Sequence, residues 1–343
     1  MKSWWIMRGD SEPHDDWELP PPPSWRAFAD HTGEDDRMAR RFGNLGRGGT
    51  FQIDDHELDL VNTALLLRRP LLVTGVPGTG KSSLAFAIAH ELKLGPVLYW
   101  PINSRSELPE GLYNYDAIGR LQETSVRHAS VAASAGEEDP VRPEGDDAPP
   151  DIGPYITLGP LGTALLPSDR PRVLLIDEID KGDIDLPNDL LNIFEEGRYT
   201  IPELVRLAER QPEARVGTAD PDGRAVITAG TVSCRAFPVV VLTSNGERDF
   251  PPAFLRRCLQ LDLHQPDKDK LARIVEAHLG PQARQQAANL IEEFLQRRKQ
   301  NMLATDQLLN AVYLLVSGAG QDPGDLEDLL GSLLHPLGEM SPG

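Results

Sequence analysis

Up to residue 264 the chain alternates short apolar runs with helical patterns, and beyond it the pattern is helical alone. Leu71-Leu72-Val73-Thr74, Val97-Leu98-Tyr99-Trp100, Val173 to Ile176, Pro238 to Thr243 and Leu259 to Leu263 read as buried strands. Their continuous apolar character fits strands covered on both faces. Between them lie amphipathic stretches. Asp54 or Asp55 caps a helix that runs to Arg69, with Leu58, Val61 and Leu65 on one face and Pro70 as its stop. Ser83 to Leu92 has a helical apolar face. Leu186 to Glu196 is a third helix, with Pro187 accepted in its first turn and Gly197 ending it. Arg215-Val216 and Ala225-Val226-Ile227-Thr228 flank Asp220-Pro221-Asp222-Gly223, which predicts a hairpin over 213–232. From Asp267 to about Leu334 the spacing predicts about four helices, broken at Gly280-Pro281, around Gln300-Asn301 and at Gly318 to Gly324. Alternating strands and helices predict a parallel sheet, so the fold class is α/β followed by a small all-α domain.

Composition refines this organisation. A chain of 343 residues allows roughly two domains of ~150 residues each. Residues 1–50 form an extension with Trp4, Trp5, Trp17, Trp25 and the run Pro20-Pro21-Pro22-Pro23. The prolines favour extended polyproline II, while the tryptophans suit packing on the body or docking to a partner. Residues 129–151 carry Glu137, Glu138, Asp139, Glu144, Asp146, Asp147 and Asp151 among prolines, and read as a disordered acidic insertion and solvated loop. The α/β domain then spans 51–264, the helical domain 265–335 and a tail 336–343.

The net charge of -19 argues against a broad nucleic-acid-binding surface, which needs clustered Lys and Arg. Cys234 and Cys258 make no metal spacing and read as two reduced thiols. No apolar run approaches the ~18 residues that cross a bilayer, and Trp4-Trp5-Ile6-Met7 is too short for a signal-peptide core. A soluble, cytoplasmic protein is expected.

The sharpest chemical signal is Gly75-Val76-Pro77-Gly78-Thr79-Gly80-Lys81-Ser82, a full phosphate-binding P-loop between a strand and a helix. Its amides and those of Ser83 would cradle phosphates at a helix N-terminus. Lys81 would reach the β- and γ-phosphates, and Ser82 would hold Mg²⁺. Asp177 and Glu178 end the strand that starts at Val173, the Walker B arrangement. Ligands sit beyond strand carboxyl ends in such sheets, so Asp177 would help hold Mg²⁺ and Glu178 would act as general base on water. Asn245, just after the fourth strand, would place that water against the γ-phosphate. Arg256 or Arg257, with Arg257 favoured, would reach a neighbouring subunit and stabilise charge on the transferring phosphoryl.

Together these parts resemble an AAA+ ATPase over roughly residues 51–335. Tyr113-Asn114-Tyr115-Asp116 and Gly159-Pro160-Leu161, between the second strand and Walker B, resemble the helix-2 insert of the MoxR-like branch, and the 213–232 hairpin sits where that clade has an extra one. The resemblance implies a P-loop NTPase core with a helical lid. It also implies ATP with Mg²⁺, and a homo-oligomeric ring, commonly hexameric. Such a ring remodels a protein client or works with an adaptor, often of the von Willebrand factor A type. One departure stands out. Family lids often carry a sensor-2 arginine on the third lid helix, and Ala304-Thr305-Asp306-Gln307 here has none. Two other readings stay open: a nucleotide-gated assembly switch in signalling or defence, and a nucleic-acid-directed NTPase related to McrB. The absence of an Asn-Lys-x-Asp motif favours ATP over GTP.

Overall fold

The computed structural model describes residues 49–134, 151–299, 303–317, 331 and 333. In chain order the elements begin with helix α1 (Asp55–Leu67), strand β1 (Leu71–Thr74), α2 (Lys81–Glu91) and β2 (Leu98–Pro101). Next come α3 (Leu108–Leu112), β3 (Tyr113–Tyr115), α4 (Ala117–Ser134), β4 (Ile156–Leu158) and α5 (Pro160–Ala164). Then follow β5 (Val173–Asp177), α6 (Leu186–Glu196), β6 (Arg198–Thr200), α7 (Pro202–Val205), β7 (Glu213–Gly217), β8 (Arg224–Thr228) and β9 (Thr231–Ser233). The α/β part closes with β10 (Val239–Ser244), α8 (Pro252–Leu255) and β11 (Leu259–Asp262). Helices α9 (Lys268–Leu279), α10 (Pro281–Gln286), α11 (Ala288–Arg298) and α12 (Thr305–Val316) complete it.

The five expected strands form one parallel sheet in the order β11-β1-β10-β5-β2. Successive residues feed opposite faces. Leu71, Val73, Val173, Leu175 and Val241 pack with Val61 and Ala64 of α1 and Leu84 and Ile88 of α2. Leu72, Leu174, Ile176, Val240 and Leu242 pack on the other face with Leu186 and Leu190 of α6. Burial on both faces explains the unbroken apolar runs. The fold class expected from the sequence is therefore present: an α/β parallel sheet of the P-loop type followed by helices. Among the described residues, no helix is long and apolar enough to cross a membrane.

A second sheet was not expected. Its order is β3-β4-β7-β8-β9-β6, mostly antiparallel, and Ile156, Leu158, Val216, Ile227 and Val232 share the core of the main sheet. The hairpin read at 213–232 is its β7–β8 pair, with Gly217 opposite Arg224. Arg172 clamps the turn. Its guanidinium donates to both Asp220 carboxylate oxygens at 2.9 and 2.8 Å, and to the Pro96 carbonyl at 3.1 Å.

Other expectations shift locally. Helix α1 ends at Leu67, because Arg68 turns left-handed (φ 54°) before Pro70 is reached. Helix α4 runs to Ser134, so the first residues of the segment read as an acidic insertion are helical, while 135–150 lie outside the described residues. The helical domain divides after Pro281 into α10 and α11, giving four helices by Val316 around Leu271, Val275, Ile291, Phe294 and Leu308. The Gly318 to Gly324 break, residues 1–48 and the 336–343 tail also fall outside the described residues.

Candidate functional site

Three neighbouring strands, β1, β10 and β5, end on one side of the sheet and deliver three loops to one place. β1 leads into the glycine-rich loop, which closes on the N-terminus of α2. Gly75 takes φ 143°, and a Cβ there would stand 2.5 Å from the Leu263 carbonyl oxygen. Gly78 takes φ 80°, and a Cβ there would stand 2.4 Å from the Ala304 Cβ at the start of α12. Only glycine allows both the backbone conformation and the close approach.

Lys81 is the first residue of α2 and is buried. Its ammonium donates to the carbonyls of Gly75 at 2.7 Å and Val76 at 3.1 Å. Burial pushes its pKa below the ordinary lysine value, against the opposing pull of Asp180, Asp177 and Glu178. Thr79 folds its hydroxyl back to the Val76 carbonyl at 2.9 Å. A cavity of about 470 Å³ is lined by Pro77, Gly78, Gly80, Lys81, Ser82 and Ser83 from this loop. Asp177, Glu178, Lys181, Thr243, Asn245 and Glu247 line its far side.

Asp177 is the hub of that cavity. Its Oδ1 accepts from the Ser82 hydroxyl at 2.7 Å and the Thr243 hydroxyl at 2.6 Å, and its Oδ2 from the Tyr99 hydroxyl at 3.2 Å. Pairing of Leu242 with Ile176 puts Thr243, one residue on, beside Asp177. The Thr243 oxygen in turn accepts the Glu178 N–H at 2.9 Å. That bond anchors Glu178 in a left-handed conformation, φ 59° and ψ 48°, rare for a residue with a side chain. The Glu178 carboxylate pairs with Lys181 at 2.8 Å, and this hydrogen bond raises the Lys181 pKa.

The donor set suits a metal shared with phosphate. Among the described residues, no group of three His, Cys, Asp or Glu could hold a metal ion. One hydroxyl and one carboxylate, Ser82 and Asp177, do meet at hydrogen-bond distance. Mg²⁺ is commonly held by one or two carboxylates together with substrate phosphates.

Apart from Thr79, the sequence-predicted residues therefore divide into three groups. Gly78, Gly80, Lys81, Ser82, Ser83, Asp177, Glu178, Asn245 and Pro77 converge on one cavity. Gly75 and Val76 stand behind it, presenting carbonyls to Lys81. Arg256 and Arg257 line neither this cavity nor the next. Arg257 is tied to the Glu195 carboxylate and donates to the Ala253 carbonyl at 3.2 Å. The Arg256 side chain is exposed, and among the described residues it makes no hydrogen bond or ion pair. Arg69 grips the backbone of both through their carbonyls.

Sequence reading missed Thr243, Asp180, Lys181 and a second, adjoining cavity. That cavity, of about 530 Å³, lies between the loop and the helical domain, with Phe51, Thr79, His264, Lys270, His278 and Asp306 among its walls. Thr79 belongs to it rather than to the phosphate side. Lys270 crosses from α9 to Glu57 and Asp54 at the start of α1, each at 2.8 Å, which ties the C-terminal helices to the α/β part.

Residues 70–258 match the model of the AAA domain, dynein-related subfamily. No curated protein matches the chain. Among solved structures, NtrX from Brucella abortus in complex with ADP is similar at 16% identity and a TM-score of 0.40. That match covers 88% of this chain and 57% of the other. The matched residues hold four of the five strands of the parallel sheet (β1, β2, β5 and β10), the P-loop and the Asp177–Glu178 turn, and the chain belongs to the AAA domain family, dynein-related subfamily.

Proposed function

We propose that this chain binds ATP with Mg²⁺ and hydrolyses it as a MoxR-like AAA+ ATPase. In this reading it works in the cytoplasm as a homo-oligomeric, hexameric ring that remodels a protein client or serves an adaptor of the von Willebrand factor A type. The observation that carries the chemistry is the meeting of Ser82 and Thr243 on one oxygen of Asp177, beside the buried Lys81.

The loop amides would receive the phosphates at the α2 N-terminus. Lys81 would exchange the Gly75 and Val76 carbonyls for phosphate oxygens. Ser82 and Asp177 would hold Mg²⁺, which when bound neutralises charge on the β- and γ-phosphates. Glu178 would take the proton from the attacking water, with Asn245 placing it. Arg257 or Arg256 of one subunit would stabilise charge in the next. The MoxR-like assignment is supported by the second sheet, whose β3 and β4 fall between β2 and β5 and whose β7–β8 hairpin precedes β10 with only the short β9 between them. The net charge of -19 continues to speak against a nucleic-acid track.

One observation favours a nucleotide-gated switch as the second reading. The Glu178 carboxylate is ion-paired with Lys181, so this pair has to open before the carboxylate is free to reach the attacking water. Light scattering of the Glu178→Gln variant, with and without ATP and Mg²⁺, tests assembly. An ATP-dependent hexamer supports the ring, and a monomer in both states overturns it. Turnover stimulated by a client marks the remodelling enzyme, whereas slow turnover with assembly marks the switch.

A further inference from the structure

Asp180 sits in the short turn Ile179–Lys181 that follows Glu178, and it is 3% exposed. One of its oxygens, Oδ2, accepts two backbone N–H groups from the facing loop, Asn245 at 2.9 Å and Glu247 at 3.1 Å. The other, Oδ1, is buried and has no hydrogen-bond partner among the described residues. Asp180 lines a cavity of about 660 Å³ together with Glu178, Lys181 and Glu247.

Besides Asp180, the loop is tied to the same turn by Arg248, whose guanidinium donates to the Gly182 carbonyl at 2.8 Å. Gly246 takes φ 76°, and a Cβ there would meet nothing within 4 Å. The Gly246 N–H is taken by the Ser244 hydroxyl at 3.0 Å. Hydrogen bonds therefore fix residues 245–247, and two of these three end on one carboxylate oxygen. A buried carboxylate with one oxygen unpaired is costly, so stability alone does not account for it.

We infer that Asp180 is a positioning residue: it clamps the Asn245 loop onto the turn that carries Glu178, and so fixes the Asn245 amide relative to the base. The catalytic consequence rests on the function proposed above; the clamp itself does not. Geometry, rather than charge, is what the clamp supplies. Asp180→Asn keeps a carbonyl oxygen where Oδ2 stands, whereas Asp180→Glu keeps the charge and moves the carboxylate by one methylene.

The test is amide hydrogen exchange at Asn245 and Glu247 in the full chain, with ATP hydrolysis measured alongside. Asp180→Asn should keep protection close to wild type. Asp180→Glu and Asp180→Ala should lose about 10-fold or more at both amides, the equivalent of one buried hydrogen bond. Hydrolysis should fall in kcat with KM little changed, and be restored in Asp180→Asn. In hydrolysis, adding Asp180→Ala to Asn245→Ala should cost nothing beyond Asn245→Ala alone, because the clamp acts on catalysis only through the Asn245 side-chain amide, which Asn245→Ala has already removed. Should Asp180→Ala not fold, the Asn and Glu variants decide. A functional Asp180→Glu with an impaired Asp180→Asn would overturn the inference, as would unchanged exchange in all three or multiplying losses in the double variant. A wild-type chain without turnover would sink the proposed function, and the exchange result would still decide the clamp.

Discussion

Replacing Thr243 by valine removes one hydroxyl and two hydrogen bonds at almost constant volume. The residue is 1% exposed, so water cannot substitute for what is lost. Its bond to Asp177 is short, 2.6 Å, and charge-assisted, a class worth about 1.5–3 kcal/mol. The Glu178 N–H, 2.9 Å from the same oxygen, would be left unpaired at a cost of about 1–3 kcal/mol. The two losses share an atom and do not add fully, so the expected destabilisation is about 2–5 kcal/mol. Thr243→Ser keeps the hydroxyl and loses one methyl, about 1 kcal/mol. Urea unfolding without nucleotide measures both. For m near ~3 kcal/mol/M, Thr243→Val should lower the midpoint by about 0.7–1.7 M. The left-handed Glu178 backbone also loses its anchor, so hydrolysis should fall more than nucleotide binding. A loss below about 1 kcal/mol for valine, or serine as damaging as valine, would refute this account of the Asp177 hub.

The remaining predictions concern the finger, the loop and the helical domain. Arg257→Ala should abolish hydrolysis while keeping nucleotide binding, and mixing it with Glu178→Gln subunits should restore turnover. Normal turnover in Arg257→Ala would move the role to the exposed Arg256. Gly78→Ala should weaken ATP binding about 10-fold or more, because a left-handed alanine alone costs about 1–2 kcal/mol and its Cβ collides with Ala304. Calorimetric affinity within twofold of wild type would contradict it. Burial holds the His278 imidazole below its ordinary value of 6.5, so the unfolded chain protonates first as pH falls. Its effect on stability is therefore absent above about pH 6.5, grows as a destabilisation while pH falls below that, and levels off at its full size once the folded pKa is passed. His278→Gln should flatten the acid limb of the stability profile, and an unchanged slope would exclude the residue.

What the sequence made legible was local. The P-loop is contiguous, and its strand, loop and helix follow each other without interruption, so eight residues carried both the fold and the phosphate chemistry. Asp177 and Glu178 were legible because four apolar residues aim them out of the sheet. Thr243 was hidden because its role comes from register: only pairing of β10 with β5 sets its hydroxyl on Asp177. Asp180 looked like one more surface acid, since nothing local signals that it bonds amides 65 and 67 residues away. The second sheet escaped because β3, β4, β6 and β9 have three residues each, too short for an alternating pattern to register. The arginine pair was legible as a candidate, but the Glu195 contact that holds Arg257 depends on how α6 packs against α8.

The most direct test of the central claim is phosphate release from ATP and Mg²⁺ by the wild-type chain and by Glu178→Gln, with bound nucleotide measured in the same samples. The account predicts turnover by wild type, a fall of about 10²–10⁴-fold in the variant, and retained ATP binding in both. Equal turnover by the two, or no ATP bound by either, would contradict it.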